Sequence, residues 1–377
     1  MDSARSETFN SIPDKALGAG QFAAVYKVLQ EAIDSQAFPG CAFGVLAGGS
    51  VLLADALGSF TYENGAPNID LSTLFDIASL TKVVSTTAIA MLLFERGVLR
   101  LETPIGDLLP GFVVGRANSE LARRVTVHNL LAHNSGLPGY VEFFQTANTP
   151  SALFRACLEL PIENTPGERV EYSDPGFILL GKALEILNRD SLSVMARKEI
   201  FAPLGMSATR FRPPRPQWAT IPPTEIDNSF RHRTLQGEVQ DENAYVLDGI
   251  AGHAGLFSNV PDLLRFASGI LAGYHNAELA TSRIFSSETI ESFARRQGPE
   301  GSSRALGWDT PSAESSAGRH FSSHSIGHLG YSGCSLWIDL ESSVAVALLT
   351  NRTWPDRKSQ AIKQVRPAFH NAVRESL

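Results

Sequence analysis

From Ile77 to Phe94 the chain carries one charged side chain, Lys82, set among Leu80, Val83, Val84, Ala88, Ile89, Met91, Leu92, Leu93 and Phe94. A stretch this apolar folds into the interior and takes its single amine with it. Burial disfavours the ammonium form, which predicts a lysine pushed toward neutrality and able to accept a proton near neutral pH. Ser79, three residues earlier, supplies that proton. On a helix the two side chains share a face, and a serine at the helix start has free backbone N–H groups beside it, suited to a developing oxyanion. The stretch therefore points to serine acyl transfer.

Ser-x-x-Lys strings also arise by chance, and a helical lysine ordinarily snorkels into solvent. Two facts raise this one. Only seven of the 32 basic residues are lysine, and Lys82 alone has a serine three residues before it. Its apolar company also makes snorkelling harder.

At 377 residues the chain exceeds one typical domain, so two lobes, or one domain with a large insertion, is the expected organisation. A formal net charge of -7 and a pI near 5.8 give no electrostatic reason for a nucleic acid or an anionic membrane as partner. A small-molecule ester or amide substrate fits better, no cofactor is implied, and the oligomeric state stays open. Met1 to Phe22 contain Pro13, Asp14 and Lys15 and no apolar run, so no secretory leader is visible. The expected compartment is cytoplasmic, or periplasmic or secreted had a leader been removed. The apolar run Ala88 to Phe94 is too short to span a bilayer, which takes about 20 residues. Cys41, Cys157 and Cys334 are too few and scattered for a disulfide framework and read as packing residues.

Phe22, Val25, Tyr26, Leu29 and Ile33 recur at helical spacing between Gln21 and Gln36, until Pro39-Gly40. Cys41 to Leu46 and Val51 to Ala56, separated by Ala47-Gly48-Gly49-Ser50, read as a hairpin of largely buried strands. A similar pair, Cys334 to Leu340 and Val344 to Leu349, precedes a helix predicted over Lys358 to Glu375. Both chain ends thus offer strands and helices to one antiparallel sheet. Between them the signals are mainly helical, as in Leu153 to Leu160, Phe177 to Asn188 and Leu192 to Phe201. The expected class is α+β: residues 1–78 and 272–377 form an α/β lobe, 79–271 a mainly helical lobe, and the site lies in the cleft between them. The prolines from Pro213 to Pro223 predict an extended, stiff connector, which with Trp308 is a candidate wall of the acyl pocket.

Two further segments carry candidate chemistry. Tyr172 and Asp174 stand on a loop ahead of the apolar helix from Phe177, although Asp174 before Pro175 also reads as a helix N-cap. Gly327-His328-Leu329-Gly330-Tyr331-Ser332-Gly333 precedes a strand, and a glycine-rich strand edge lets a substrate approach the backbone.

The order Ser79-Leu80-Thr81-Lys82, Tyr172-Ser173-Asp174, His328-Leu329-Gly330 resembles that of the penicillin-recognising serine hydrolases. These are the class C β-lactamases, the D-alanyl-D-alanine peptidases and the β-lactamase-like carboxylesterases, with motifs S-x-x-K, Y-x-N and K/H-x-G. Leu130 to Leu137, Gly252 to Ser258 and Leu348 to Arg352 look like the family too, and the likeness runs from about Phe22 to the C-terminus. The resemblance implies that Ser79 is acylated, that Lys82 is its proton acceptor or partner, and that Tyr172 is a second acid/base. It implies an oxyanion hole from the backbone N–H groups of Ser79 and Tyr331, and substrate binding by Asp174, His328, Leu329 and Gly330. It also implies a β-lactamase-like fold: an antiparallel sheet flanked by N- and C-terminal helices, with a helical lobe inserted.

The departures are informative. The family's third motif usually binds a substrate carboxylate through a cation and a hydroxyl, but His328 is largely neutral at pH 7 and Leu329 has no hydroxyl. Asp174 replaces an asparagine and, ionised, only accepts; it suits a cationic group or holds Lys82 charged, shifting proton transfer to Tyr172. Both favour an esterase on small carboxylic esters over a β-lactamase or a D-alanyl-D-alanine peptidase or aminopeptidase.

Other classes fare worse. No serine stands in a G-x-S-x-G nucleophile elbow. His320, His324 and His328 are four apart but lie in a segment that reads as strand or loop, where that spacing does not align metal ligands, so no metal is expected. A catalytically silent binding module on the same fold is the non-enzymatic alternative.

Overall fold

The computed structural model describes residues 20–116, 118–276 and 284–377. Residues 1–19, on which most of the compartment expectation rests, lie outside the described residues. The sheet has five antiparallel strands: β1 Gly40–Ala47, β2 Ser50–Gly58, β3 Ser325–Leu329, β4 Ser335–Asp339 and β5 Val344–Thr350, in the order β2-β1-β5-β4-β3. The two chain ends meet at the β1–β5 pairing, where Cys41 faces Thr350 and Ala47 faces Val344. Strand β1 is buried almost throughout, as expected. The edge strand β2 departs from that expectation, with most of its residues partly exposed, because it pairs on one side only.

Alternation along the central strands divides the core in two. Cys41, Phe43 and Val45 of β1 and Val344, Val346 and Leu348 of β5 face one cluster. Helix α1 (Ala23–Asp34) supplies Val25 and Leu29 to it, and the C-terminal helix (Ile362–Glu375) supplies Phe369 and Val373. Ala42, Leu46, Ala345, Ala347 and Leu349 face the other way, into the larger core. Glycine stands at position 44 on that face for a reason: a β-carbon there would stand 2.6 Å from Val260 and 2.8 Å from Leu264.

The remaining principal helices are α2 (Ala88–Glu95), α3 (Asp174–Asn188), α4 (Val260–Tyr274) and α5 (Ile362–Glu375). Helix α4 falls largely inside the stretch assigned from sequence to the helical lobe, yet Val260 and Leu264 lie against the sheet, so the α/β layer takes in chain from about residue 260. Its Val260, Leu263, Leu264 and Ala267 form one apolar face, which needs an apolar partner. The proline-rich connector is not simply extended: Arg215–Thr220 winds a short 3₁₀ helix. Trp308 is fully buried against Phe266, inside the larger core.

The apolar stretch folds as a continuous helical run from Ala78 to Glu95, 18 residues of mean hydropathy 1.3. Its length and composition match a membrane span, but 83% of it is buried inside the protein, where it forms the core. All three cysteines are buried, unpaired packing residues.

Candidate active site

Ser79 opens the buried helical run, on the 3₁₀ turn Ala78–Leu80, and Lys82 begins the π-helical turn Lys82–Thr87 that leads into α2. Ala78 has a φ of +46°, a left-handed conformation that disfavours a residue bearing a β-carbon. Asp76 holds that turn: one carboxylate oxygen accepts from the Ala78 N–H at 2.8 Å and the other from the Gln240 N–H at 2.7 Å. Burial pushes the Asp76 carboxyl up to about 6.

Lys82 has no exposed surface, and its three donors are all engaged. Nζ lies 3.0 Å from Ser79 Oγ, 2.6 Å from Asp174 Oδ1 and 3.3 Å from the His253 carbonyl. Burial alone would lower its pKa, but the Asp174 carboxylate and Tyr172 reverse the direction and hold the amine above its ordinary value. The lysine is therefore an ammonium at neutral pH, contrary to the neutral amine expected from burial alone. The apolar segment is visible in the sequence around residue 82; the carboxylate that decides the charge comes from 92 residues away.

Tyr172 lies beside this pair, with Nζ 4.7 Å from its ring centroid, close enough that Lys82 and Ser79 both favour its ionised form. Burial raises the phenol pKa, against the lowering effect of Lys82. The loop that carries it is capped by Ser173, not by Asp174: Ser173 Oγ accepts the Gly176 N–H at 3.1 Å, which frees Asp174 to reach Lys82. Beneath, His133 stacks on Tyr172 and Phe177, and its Nδ1 accepts the Ser173 N–H at 3.0 Å. That bond leaves the ring proton on Nε2, because burial holds the imidazole neutral, well below its usual pKa.

His328 is buried on the other side of Tyr172, their ring centroids 5.8 Å apart. Its Nδ1–H donates to the Leu329 carbonyl at 2.8 Å, and burial, followed by the Arg304 charge, keeps the ring neutral. The open cleft at Ser79 has a volume of about 1170 Å³. Asp174 and Tyr331 line it, whereas His328, Leu329 and Gly330, expected as substrate-binding residues, stand behind its surface. Gly330 packs against the nucleophile turn, where a β-carbon would come within 2.5 Å of the Ile77 carbonyl oxygen. Among the described residues, the N–H groups of Ser79 and Tyr331 donate to no protein group, as two oxyanion donors require.

The segments left without a role by sequence reading support these groups. Gly252 and His253 turn their carbonyls to Thr86 and Lys82, and a β-carbon on Gly252 would collide with the Phe177 carbonyl oxygen. The Asn351 side chain donates to the Phe60 and Pro223 carbonyls. Arg304 was not singled out from sequence. Its guanidinium lies 5.0 Å from the Tyr172 ring centroid, with no ionic or hydrogen-bonding partner among the described residues. Of the three evenly spaced histidines, His320 and His324 pair with Glu375 and Glu341 on the surface, apart from His328. No group of three potential metal ligands occurs among the described residues.

The family model described as Beta-lactamase matches residues 25–367. An N-acetylmuramyl-L-alanine amidase of Bacillus subtilis is 30% identical over 350 residues, covering 84% of this chain and 77% of that protein. Among solved structures, EstCE1, a hydrolase with promiscuous acyltransferase activity, superposes with a TM-score of 0.73 at 21% identity over 93% of this chain and 98% of its own. A penicillin-binding protein homologue from Caulobacter crescentus gives 0.74 at 17% identity, covering 95% and 98% of the two chains.

Proposed function

The chain belongs to the beta-lactamase family of penicillin-recognising serine hydrolases, and from that premise we propose that it is an esterase acting on small carboxylic esters through an acyl-enzyme on Ser79. The observation that carries this reading is the charge of the cleft. Glu142, Asp174, Glu225, Asp241, Glu242 and Asp356 line it, against the cations Arg357 and Lys358 and the buried Lys82 ammonium paired with Asp174, six carboxylates to three cations. The histidine of the third motif adds no charge, being neutral and buried. Like charges repel an anionic ligand, so β-lactams and D-alanine peptides, which present a carboxylate, are disfavoured relative to an uncharged ester.

In this mechanism the reactive form is the minor fraction in which Tyr172 is ionised: Ser79 Oγ attacks the ester carbonyl while the tyrosinate takes the serine proton. The Lys82 ammonium, locked by Asp174, stabilises the tyrosinate and does not act as the base. The Ser79 and Tyr331 N–H groups hold the tetrahedral oxyanion. Tyr172 returns its proton to the leaving alkoxide, and water attacking from the cleft releases the acid by the same steps in reverse.

The test compares short-chain p-nitrophenyl esters with nitrocefin and a D-alanyl-D-alanine peptide, alongside intact-mass detection of the acyl-enzyme in the parent and in Ser79→Ala. Ester turnover with an adduct confined to the parent is the expected result. Efficient nitrocefin hydrolysis or D-alanine release beside negligible ester turnover would sink the ester reading. Amide cleavage, named for the Bacillus subtilis relative, is the second reading and is scored with an aminoacyl anilide in the same panel.

A further inference from the structure

Gly330 and Tyr331 share a peptide group, so whatever holds the Gly330 carbonyl also aims the Tyr331 N–H, which points the opposite way across the same plane. That carbonyl is held from inside the protein. Arg366, on α5, donates from Nη2 to the Gly330 oxygen at 2.6 Å and to the Cys334 oxygen at 2.8 Å, and from Nε to the Gly333 oxygen at 3.2 Å. The side chain is 93% buried and pairs with no carboxylate among the described residues, so the carbonyls of one turn take up its charge. An unpaired buried guanidinium is costly, and burial pushes its pKa down to about 10.

The rest of the turn is held in the same sense. Arg352 donates from Nε to the Tyr331 oxygen at 2.7 Å, and Thr350 Oγ1 donates to the Ser332 oxygen at 3.1 Å. Gly333, with a φ of +105°, leaves room for this: a β-carbon there would collide with the Thr350 hydroxyl and the Arg352 side chain. Each carbonyl from Gly330 to Cys334 therefore accepts a hydrogen bond from protein, while the Tyr331 N–H keeps no protein acceptor among the described residues.

We propose that Arg366 is the positioning residue of the oxyanion hole, fixing and polarising the Gly330–Tyr331 peptide so that the Tyr331 N–H meets the acyl oxygen on Ser79. The assignment rests on Ser79 as the acylated nucleophile. It is independent of which acyl group is transferred. A donor already aligned spares the transition state the reorganisation that a mobile loop would need, and hydrogen bonds in series strengthen one another.

The experiment measures Arg366→Met and Arg366→Lys against the parent in two assays: ester hydrolysis, and the second-order rate of Ser79 phosphonylation by a fluorophosphonate, whose P=O enters the same hole. Circular dichroism and the affinity of a non-reactive ketone analogue of the ester report folding and ground-state binding. For Arg366→Met we expect kcat and the phosphonylation rate to fall about 100-fold together, with KM and analogue affinity within about threefold. Arg366→Lys, which keeps the charge but not the fork, should fall about tenfold. Parent-like phosphonylation in a folded Arg366→Met overturns the proposal. So does a loss matched by equal loss of analogue affinity, or an unfolded Arg366→Met beside an unchanged Arg366→Lys. Prompt phosphonylation of the parent without ester turnover sinks the ester reading alone and leaves this one standing; a parent that never labels sinks both.

Discussion

Replacing Asp174 by asparagine separates the two roles open to Lys82. The carboxylate oxygen lies 2.6 Å from the ammonium of a lysine with no exposed surface. At that distance two unit charges attract by about 6 kcal/mol in an effective dielectric near 20, and by about 2 kcal/mol in bulk water. Asparagine is nearly isosteric; it removes this attraction and leaves the 3.0 Å contact with Ser79 and the 3.3 Å bond to the His253 carbonyl. Burial, the largest influence on this amine, then prevails, and the lysine pKa moves from above its ordinary value to below it. On the proposed mechanism the parent's base is Tyr172, whose proton burial holds tightly, so kcat/KM should climb with pH through the neutral range without levelling. In Asp174→Asn a neutral Lys82 becomes available, the rising limb moves to lower pH, and the rate at neutral pH increases.

The same substitution has a stability consequence of definite sign. Breaking a buried pair costs about 3–5 kcal/mol while the remaining charge persists, and the partial exposure of Asp174 places the expected value near 3 kcal/mol. In the parent the raised lysine pKa contributes stability that is fully present below the unfolded lysine value and is lost as pH rises through the folded one. In the variant the folded pKa lies lower, so the unfolded chain binds more protons and stability rises with pH over the interval between the two values. The defect should therefore shrink toward alkaline pH. Urea unfolding near neutral and alkaline pH, with kcat/KM profiles on one ester, reads both effects. An unmoved limb, or one moved to higher pH, refutes the reasoning. A loss of about 100-fold at every pH would instead make Asp174 the final proton acceptor, reached through Lys82.

Two other perturbations have clear outcomes. Arg304→Gln removes an unpaired cation 5.0 Å from the Tyr172 ring, so the rising limb should move to higher pH and kcat/KM near neutrality fall about five- to tenfold, with Arg304→Lys recovering most of it; an unchanged profile would deny Arg304 any part in the proton transfer. Burial pushes the His370 imidazole down to about 3, so it is held neutral and its contribution drains away as pH falls below the unfolded histidine value, at about 1.4 kcal/mol per pH unit. The stability gap between the parent and His370→Gln should narrow by about 2 kcal/mol between roughly pH 6.5 and 5, and parallel unfolding curves would refute it.

What the sequence made legible follows the range of the interactions. The pairing of β1 with β2 is announced by apolar runs around Gly48 and Gly49, which take φ values of +55° and +82°. Ser79 and Lys82 are one turn apart, so their proximity needs only a helix. The burial of Lys82 was readable from its neighbours, whereas its protonation stayed open between a neutral amine and one held charged by Asp174, because the choice depends on how close another segment comes. Asp174 carried two readings, a helix cap and a carboxylate for Lys82, since a serine and an aspartate in succession can each cap a helix and only packing decides which one does.

The arginines extend that lesson. From the motif alone, a histidine and a leucine at positions 328 and 329 signify a lost cation, and the buried, neutral ring of His328 agrees. Yet the fold brings cations to both sides of the same motif from segments that carry no signature: Arg304 against Tyr172, and Arg352 and Arg366 against the carbonyls of residues 330 to 334. None of these three touches the cleft surface, so their charge acts on proton transfer and on the oxyanion donors without offering a contact to a substrate carboxylate. On the proposed mechanism, electrostatic support for the reaction and electrostatic recognition of the substrate are thus carried by different residues. That separation explains how a chain can keep the nucleophile, the tyrosine and the oxyanion turn of its family while presenting an acidic cleft to what it binds.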